Sequence, residues 1–78
     1  MMTVEILSPE AKLFEGEAEF ISLPGADGSL GILQNHAPII TVLKEGQVKI
    51  RNNDGESTFD VKGGTVEVLN NRVIILAQ

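Results

Sequence analysis

Glycine and proline interrupt this chain every few residues, at Pro9, Gly16, Pro24, Gly25, Gly28, Gly31, Pro38, Gly46, Gly55, Gly63 and Gly64. The runs between them are short and rich in Val, Ile, Leu and Thr. No window of about eleven residues keeps an apolar stripe of period 3.6, so the pattern argues against helix. It predicts many short strands in a sandwich or barrel. With 78 residues the chain reads as one domain, residues 1–78. Area scaling predicts a folded surface of roughly 4,600 Å², enough for one small core. Cysteine is absent, which rules out disulfides and thiolate metal sites and leaves packing as the stabilising term.

The segments can be read in order. Thr3–Ser8 alternates, with Val4 and Ile6 on one face. Ala11–Glu15 reads as a second strand. Glu17–Leu23 reads as a third, with Ala18 and Phe20 on one face and a turn at Pro24-Gly25. Residues 25–38 are the least regular, and 25–31 read as a tight surface loop. Ile39–Leu43 is a nearly continuous apolar run, predicted to be covered on both faces. Gln47–Arg51 turns Val48 and Ile50 inward. Asn53-Asp54-Gly55 carries the signal of a type I′ hairpin, with Ser57, Phe59 and Val61 inward on the next strand. Thr65–Leu69 points Val66 and Val68 to one face. Asn70-Asn71 is a second hairpin turn before the last strand, Arg72–Ala77. The count is roughly eight to ten strands, mostly antiparallel, in two stacked sheets. The runs Ile39–Leu43 and Val73–Leu76 belong in the sandwich interior or under a partner.

Charge narrows the function. Six basic against eleven acidic residues leave a net charge of −5. That disfavours nucleic acid and anionic membrane surfaces. The start of the chain lacks the basic and apolar regions of a secretory signal, and no apolar run is long enough to span a membrane. The cytosol is the default compartment.

Catalytic signals are weak. His36 is the one histidine, so a histidine metal site has no second ligand of its kind, and no metal is expected. Gly28-Ser29-Leu30-Gly31 approaches a nucleophile elbow with the wrong spacing and no following helix. The glycine-rich stretch 25–31 lacks the Gly-Lys-Ser/Thr of a phosphate loop, and Asp27 opposes an anion. Glu17 and Glu19 read as a solvated strand face. A lipoyl- or biotinyl-like carrier needs a lysine at a hairpin tip. Lys44, in Leu-Lys-Glu, and Lys62, in Val-Lys-Gly, sit in other contexts. With no Trp or Tyr and three Phe, stacking platforms for bases or sugars are disfavoured. What remains is a module that works by contact, with no cofactor expected. A hydrolase using His36, a carrier domain and an unassigned β-sandwich interaction module are the alternatives.

Three stretches carry a resemblance. Residues 23–46, LPGADGSLGILQNHAPIITVLKEG, resemble the epsilon subunits of F-type ATP synthases, called delta in mitochondria. The opening TVEILSPEAKLFEGEAEFISLPG and the closing FDVKGGTVEVLNNRVIILA are similar to the same family, so the likeness covers the whole chain. The most specific motifs are G-x-L-G-I-L-x-x-H-A-P and G-G-x-x-E-V.

The resemblance implies an all-β, ten-stranded β-sandwich and a non-catalytic place in the central stalk of the rotor. The partners implied are the gamma subunit and the c-ring, with proton or sodium flow coupled to ATP synthesis. The family loop that meets the c-ring maps onto Asp27, Gly28, Ser29 and Leu30. Many members carry an acid where Ser29 stands, a charge that Asp27 supplies instead. The gamma-facing positions map onto Ser8, His36, Thr41 and Lys62, where members often carry Ser in place of Lys62. The family usually continues into a two-helix domain that inhibits hydrolysis and in some members binds ATP. A short form without that hairpin and without a nucleotide site is the expectation here. No lipid insertion is expected, and the implied location is peripheral, on the cytoplasmic face of a bacterial plasma membrane or its organellar equivalent.

Overall fold

A computed structural model describes residues 1–78. Nine strands and no helix make up the chain: β1 (Met2–Leu7), β2 (Lys12–Ala18), β3 (Phe20–Gly25), β4 (Gly28–Leu33), β5 (Ile39–Leu43), β6 (Gly46–Asn52), β7 (Gly55–Val61), β8 (Gly64–Leu69) and β9 (Arg72–Ala77). The all-β class holds, and the strand number is nine rather than ten. The strands join in one hydrogen-bonded path, β2-β1-β9-β8-β5-β3-β6-β7, with β4 on β3. The path curls into two layers, β2-β1-β9-β8-β5 and β4-β3-β6-β7. They are stitched at one corner by the Gly25–Leu43 pairing and the bond from Ala26 N to Val42 O. All strand pairs are antiparallel except β1 with β9.

Between the layers lies one core of sixteen buried residues. Met2, Val4, Ile6, Val66, Val68, Val73 and Ile75 come from the first layer, and Ile21, Leu23, Ile32, Val48 and Ile50 from the second. Alternation along each strand sends these side chains inward and their neighbours to solvent. The rings of Phe14 and Phe59 close one side of the sandwich, 5.5 Å apart between centroids. No charged or polar side chain is buried, and the accessible surface is 4712 Å².

Several local expectations need correction. The chain does not break near Gly16: β2 runs unbroken from Lys12 to Ala18, because Gly16 pairs with Val4 and the Phe14 ring lies over it. The break falls at Glu19, where the chain crosses between layers. Ala18 is therefore core while Phe20 lies on the outer face, beneath the Arg51 guanidinium at 5.1 Å. Pro24 is inside β3, not at the turn. Proline lacks only the donor at this strand end, and its carbonyl accepts from Lys44 N at 2.8 Å.

The supposed loop 25–31 is mostly the β3–β4 hairpin, whose turn is only Ala26-Asp27. Gly25 is required there, since a Cβ would collide with the Gly28 carbonyl and Leu30. The type I′ geometry falls at Asn70-Asn71, with φ of 51° and 61°. At 53–55 only Gly55 has positive φ, and the Asn52 side chain accepts from Asp54 N at 2.9 Å. On β7 Val61 is buried and Phe59 half-buried, but Ser57 is exposed.

Candidate partner-binding surfaces

The apolar run Ile39–Leu43 is not covered on both sides. β5 lies on β8 with Ile40 opposite Glu67, Thr41 opposite Val66 and Val42 opposite Thr65. Val66 points into the core, so Thr41 shares the inward row with Ile39 and Leu43. Ile40 and Val42 point outward and are 74% and 56% exposed.

The ladders β5–β8, β8–β9 and β9–β1 extend this outer face into rows. One row reads Val42, Thr65, Leu76, Leu7 and the next Ile40, Glu67, Ile74, Glu5. Leu76 is 51% and Leu69 50% exposed, and Ile74 and Leu7 are half-buried. Pro38 and Leu69 border a shallow recess beside Ile40. A β face facing only water normally alternates to polar residues, so this density of Ile, Leu and Val marks a contact surface. The motif reading missed Ile40, Val42, Ile74 and Leu76. The signal for them was the length of the two apolar runs.

The ion pairs of this layer gather toward its far edge, on β9, β1 and β2. Glu5 takes both Arg72, at 3.4 Å, and Lys12, at 3.6 Å. Lys12 also binds Glu15 at 3.1 Å, and this hydrogen bond and the Glu15 charge hold its ammonium above the usual lysine pKa. These exposed pairs add little stability.

Three of the gamma-facing positions suggested by the motifs, Ser8, His36 and Lys62, frame this face from its ends, and Thr41 lies midway along β5. Lys62 is exposed in the β7–β8 connection, next to Gly63, whose carbonyl accepts from Gln78 N at 3.1 Å. Ser8 follows Leu7, which pairs with Leu76 at the same end. It is half-buried in a turn in which its Oγ lies 3.1 Å from Ala11 N. His36 stands at the other end, beyond Ile39. Its half-buried ring places Nδ1 2.7 Å from the Ala37 carbonyl, so Nδ1 is the protonated nitrogen. β5 between these ends spans about 17 Å at ~3.4 Å per residue. The structure therefore groups Ser8 with Lys62, sets His36 apart, and turns Thr41 toward the core rim.

Asn35, Ala37, Pro38, Asn70 and Asn71 line the recess beside His36. The Asn71 carboxamide holds this end together: it accepts from Asn35 N at 2.6 Å and donates to Asn35 Oδ1 at 3.2 Å. No serine hydroxyl or carboxylate lines that recess to complete a hydrolytic triad with His36.

The second candidate surface is the β3–β4 hairpin tip. Asp27, Gly28 and Ser29 are exposed, and Gly28 has φ of 136° with open space where a β-carbon would stand. Leu30 differs from its neighbours, because it is half-buried and packs on the core. The tip lies at the Lys62 end of the sandwich, fixed there by the bonds between Ala26 and Val42 and between Lys44 and Pro24.

The chain is similar to known proteins along its whole length. The profile of the family described as ATP synthase, Delta/Epsilon chain, beta-sandwich domain matches residues 1–78. An ATP synthase epsilon chain of Caulobacter vibrioides is 40% identical over 73 residues, which are 94% of this chain and 85% of that protein. Another, of Desulforamulus reducens, is 42% identical over 74 residues, 95% of this chain and 56% of that protein. Among solved structures, the central stalk and c-ring of the Tetrahymena thermophila mitochondrial ATP synthase contains a chain with TM-score 0.80 and 26% identity, covering 99% of this chain and 63% of that one. A chain of the Euglena gracilis mitochondrial ATP synthase matches in fold with TM-score 0.90 at 18% identity, covering 97% of this chain and 49% of that one. From its motifs, its curled nine-stranded sandwich and these likenesses together, the chain belongs to the ATP synthase delta/epsilon family, whose β-sandwich domain it spans.

Proposed function

We propose that this chain is a non-catalytic subunit of the rotor's central stalk in an F-type ATP synthase. In this reading the outer face of β5, β8 and β9 docks on the gamma subunit, and the hairpin tip at Asp27–Ser29 faces the c-ring. The observation that carries it is the apolar face around Ile40, Val42, Ile74 and Leu76, uncovered in this chain, in a sandwich that matches the stalk family along all 78 residues. Docking removes apolar surface from water and supplies most of the affinity, while the polar groups at the rim set orientation.

The geometry suits a mechanical coupler. The contacts proposed for gamma lie on a broad sheet face, and those proposed for the c-ring lie on a short hairpin at one end. A rigid sandwich between them transmits torque without its own chemistry. Ser8 and Lys62 lie at the same end of the sandwich as the hairpin and His36 at the far end, so they border the gamma face at both limits. Thr41 lies in the inward row beneath this face and supports the strand that carries Ile40 and Val42. The subunit acts at the membrane as a peripheral protein on the cytoplasmic side, and the driving ion, proton or sodium, is set by the ring. The test is size-exclusion chromatography with the gamma subunit of the same organism. Co-elution that is lost in Ile40→Asp supports the assignment. Separate elution at micromolar concentrations contradicts it.

A further inference from the structure

The apolar face of β5, β8 and β9 has one feature that apolar contact does not explain. Glu67 stands in its middle, exposed, with Ile40 as its cross-strand neighbour on β5 and Ile74 on β9. Thr65, Leu69, Val42 and Leu76 fill the adjoining rows. No cation of this chain pairs with the Glu67 carboxylate. The nearest candidate by register, Arg72, is diagonal to it on β9, but its guanidinium is turned to Glu5 at 3.4 Å, and Lys12 is also spent on Glu5.

While the face is open, water solvates the carboxylate at no cost. Once a partner covers the face, that water is lost. A buried carboxylate without a counter-charge costs several kcal/mol, enough to cancel much of the gain from the surrounding methyl groups. An interface that uses this face must therefore answer the charge.

We propose that the gamma surface covering this face places a basic side chain, lysine or arginine, against Glu67 between Ile40 and Ile74, and that this pair fixes the register of docking. The proposal rests on the docking reading given above. The flanking isoleucines exclude water from the pair, and the carboxylate, unpaired within this chain, is free to accept two hydrogen bonds, which suits a guanidinium. Glu67 is then the specificity element of an otherwise non-directional apolar contact.

Calorimetric titration of the gamma subunit with four single variants and one double variant tests this, each first shown to melt cooperatively like the parent. Ile40→Asp reports on the face itself: if its affinity is unchanged, the docking reading fails. Glu67→Gln is expected to weaken binding roughly 30-fold or more. Glu67→Leu is expected to weaken it at least as much, because the partner's cation is left buried and unpaired. If Ile40→Asp abolishes binding while Glu67→Leu binds as tightly as the parent or tighter, the docking face stands and the cation does not. Arg72→Leu closes the remaining route. If the effect of Glu67→Gln persists in that background, the cation belongs to the partner. If it disappears, the chain's own Arg72 swings to Glu67 and the proposal is overturned.

Discussion

Truncating Ile40 to alanine separates docking from folding. The Ile40 side chain is 74% exposed in the free chain, so little of it supports the sandwich. The substitution removes three carbons, each worth about 0.8 kcal/mol on burial. Scaled by the exposed fraction, the loss from a covered interface is about 1.8 kcal/mol, or roughly 20-fold in Kd for the gamma subunit. Stability changes less. The loss of a β-branched residue from a strand costs up to about 1 kcal/mol, or a fall of at most roughly 8 °C in Tm for a domain of this size. Calorimetric titration and thermal melting on the same preparation read both quantities. A Kd within twofold of the parent would refute the reasoning, since Ile40 would then lie outside the interface. A lost cooperative melt would refute the placement of Ile40 outside the core.

Three further outcomes follow from the same geometry. Ile75→Ala, at a fully buried position on β9, should cost about 2–5 kcal/mol out of a total of about 4–12 kcal/mol, read as a large fall in the urea midpoint. Asn71→Ala should destabilise more than Asn71→Gly: both lose the bonds to Asn35, but only alanine is strained at φ of 61°, and equal urea midpoints would contradict this. Ser29→Trp, at the exposed hairpin tip, should leave the melt within about 0.5 kcal/mol of the parent while lowering ATP-driven ion pumping in a reconstituted synthase, and full pumping would remove the tip from the c-ring contact.

What the sequence revealed depended on how local the determinant was. Val48 and Ile50, and Val66 and Val68, declare their inward faces by simple alternation, and the structure places them so. Asn70-Asn71 forms the predicted hairpin because asparagine accepts positive φ locally. Asn53-Asp54 offered the same signal, but Gly55 takes the positive φ and the Asn52 side chain caps the turn. The crossing between layers at Glu19 left no mark, because Ala18 and Phe20 continue the alternation while their backbones belong to different layers.

The Ile39–Leu43 run shows the limit most clearly. Composition identifies residues that avoid water, but it does not say whether the cover is the chain itself or another molecule. Read from the sequence, Ile40 and Val42 belonged in the interior or under a partner, and the ladder to β8 puts them outside the interior. The motif resemblance marked the two ends of the same face, at His36 and at Ser8 and Lys62, and in the centre only Thr41, which turns inward between the exposed Ile40 and Val42.

Methyl NMR of the chain labelled at Ile, Leu and Val, with the unlabelled gamma subunit added, tests the docking face most directly. The account predicts shifts at Ile40, Val42, Ile74 and Leu76, and none at Leu33, which is 59% exposed on the opposite layer beside Phe20. Shifts confined to Leu33 and its neighbours, with Ile40 and Val42 unmoved, would place gamma on the other sheet and contradict the account.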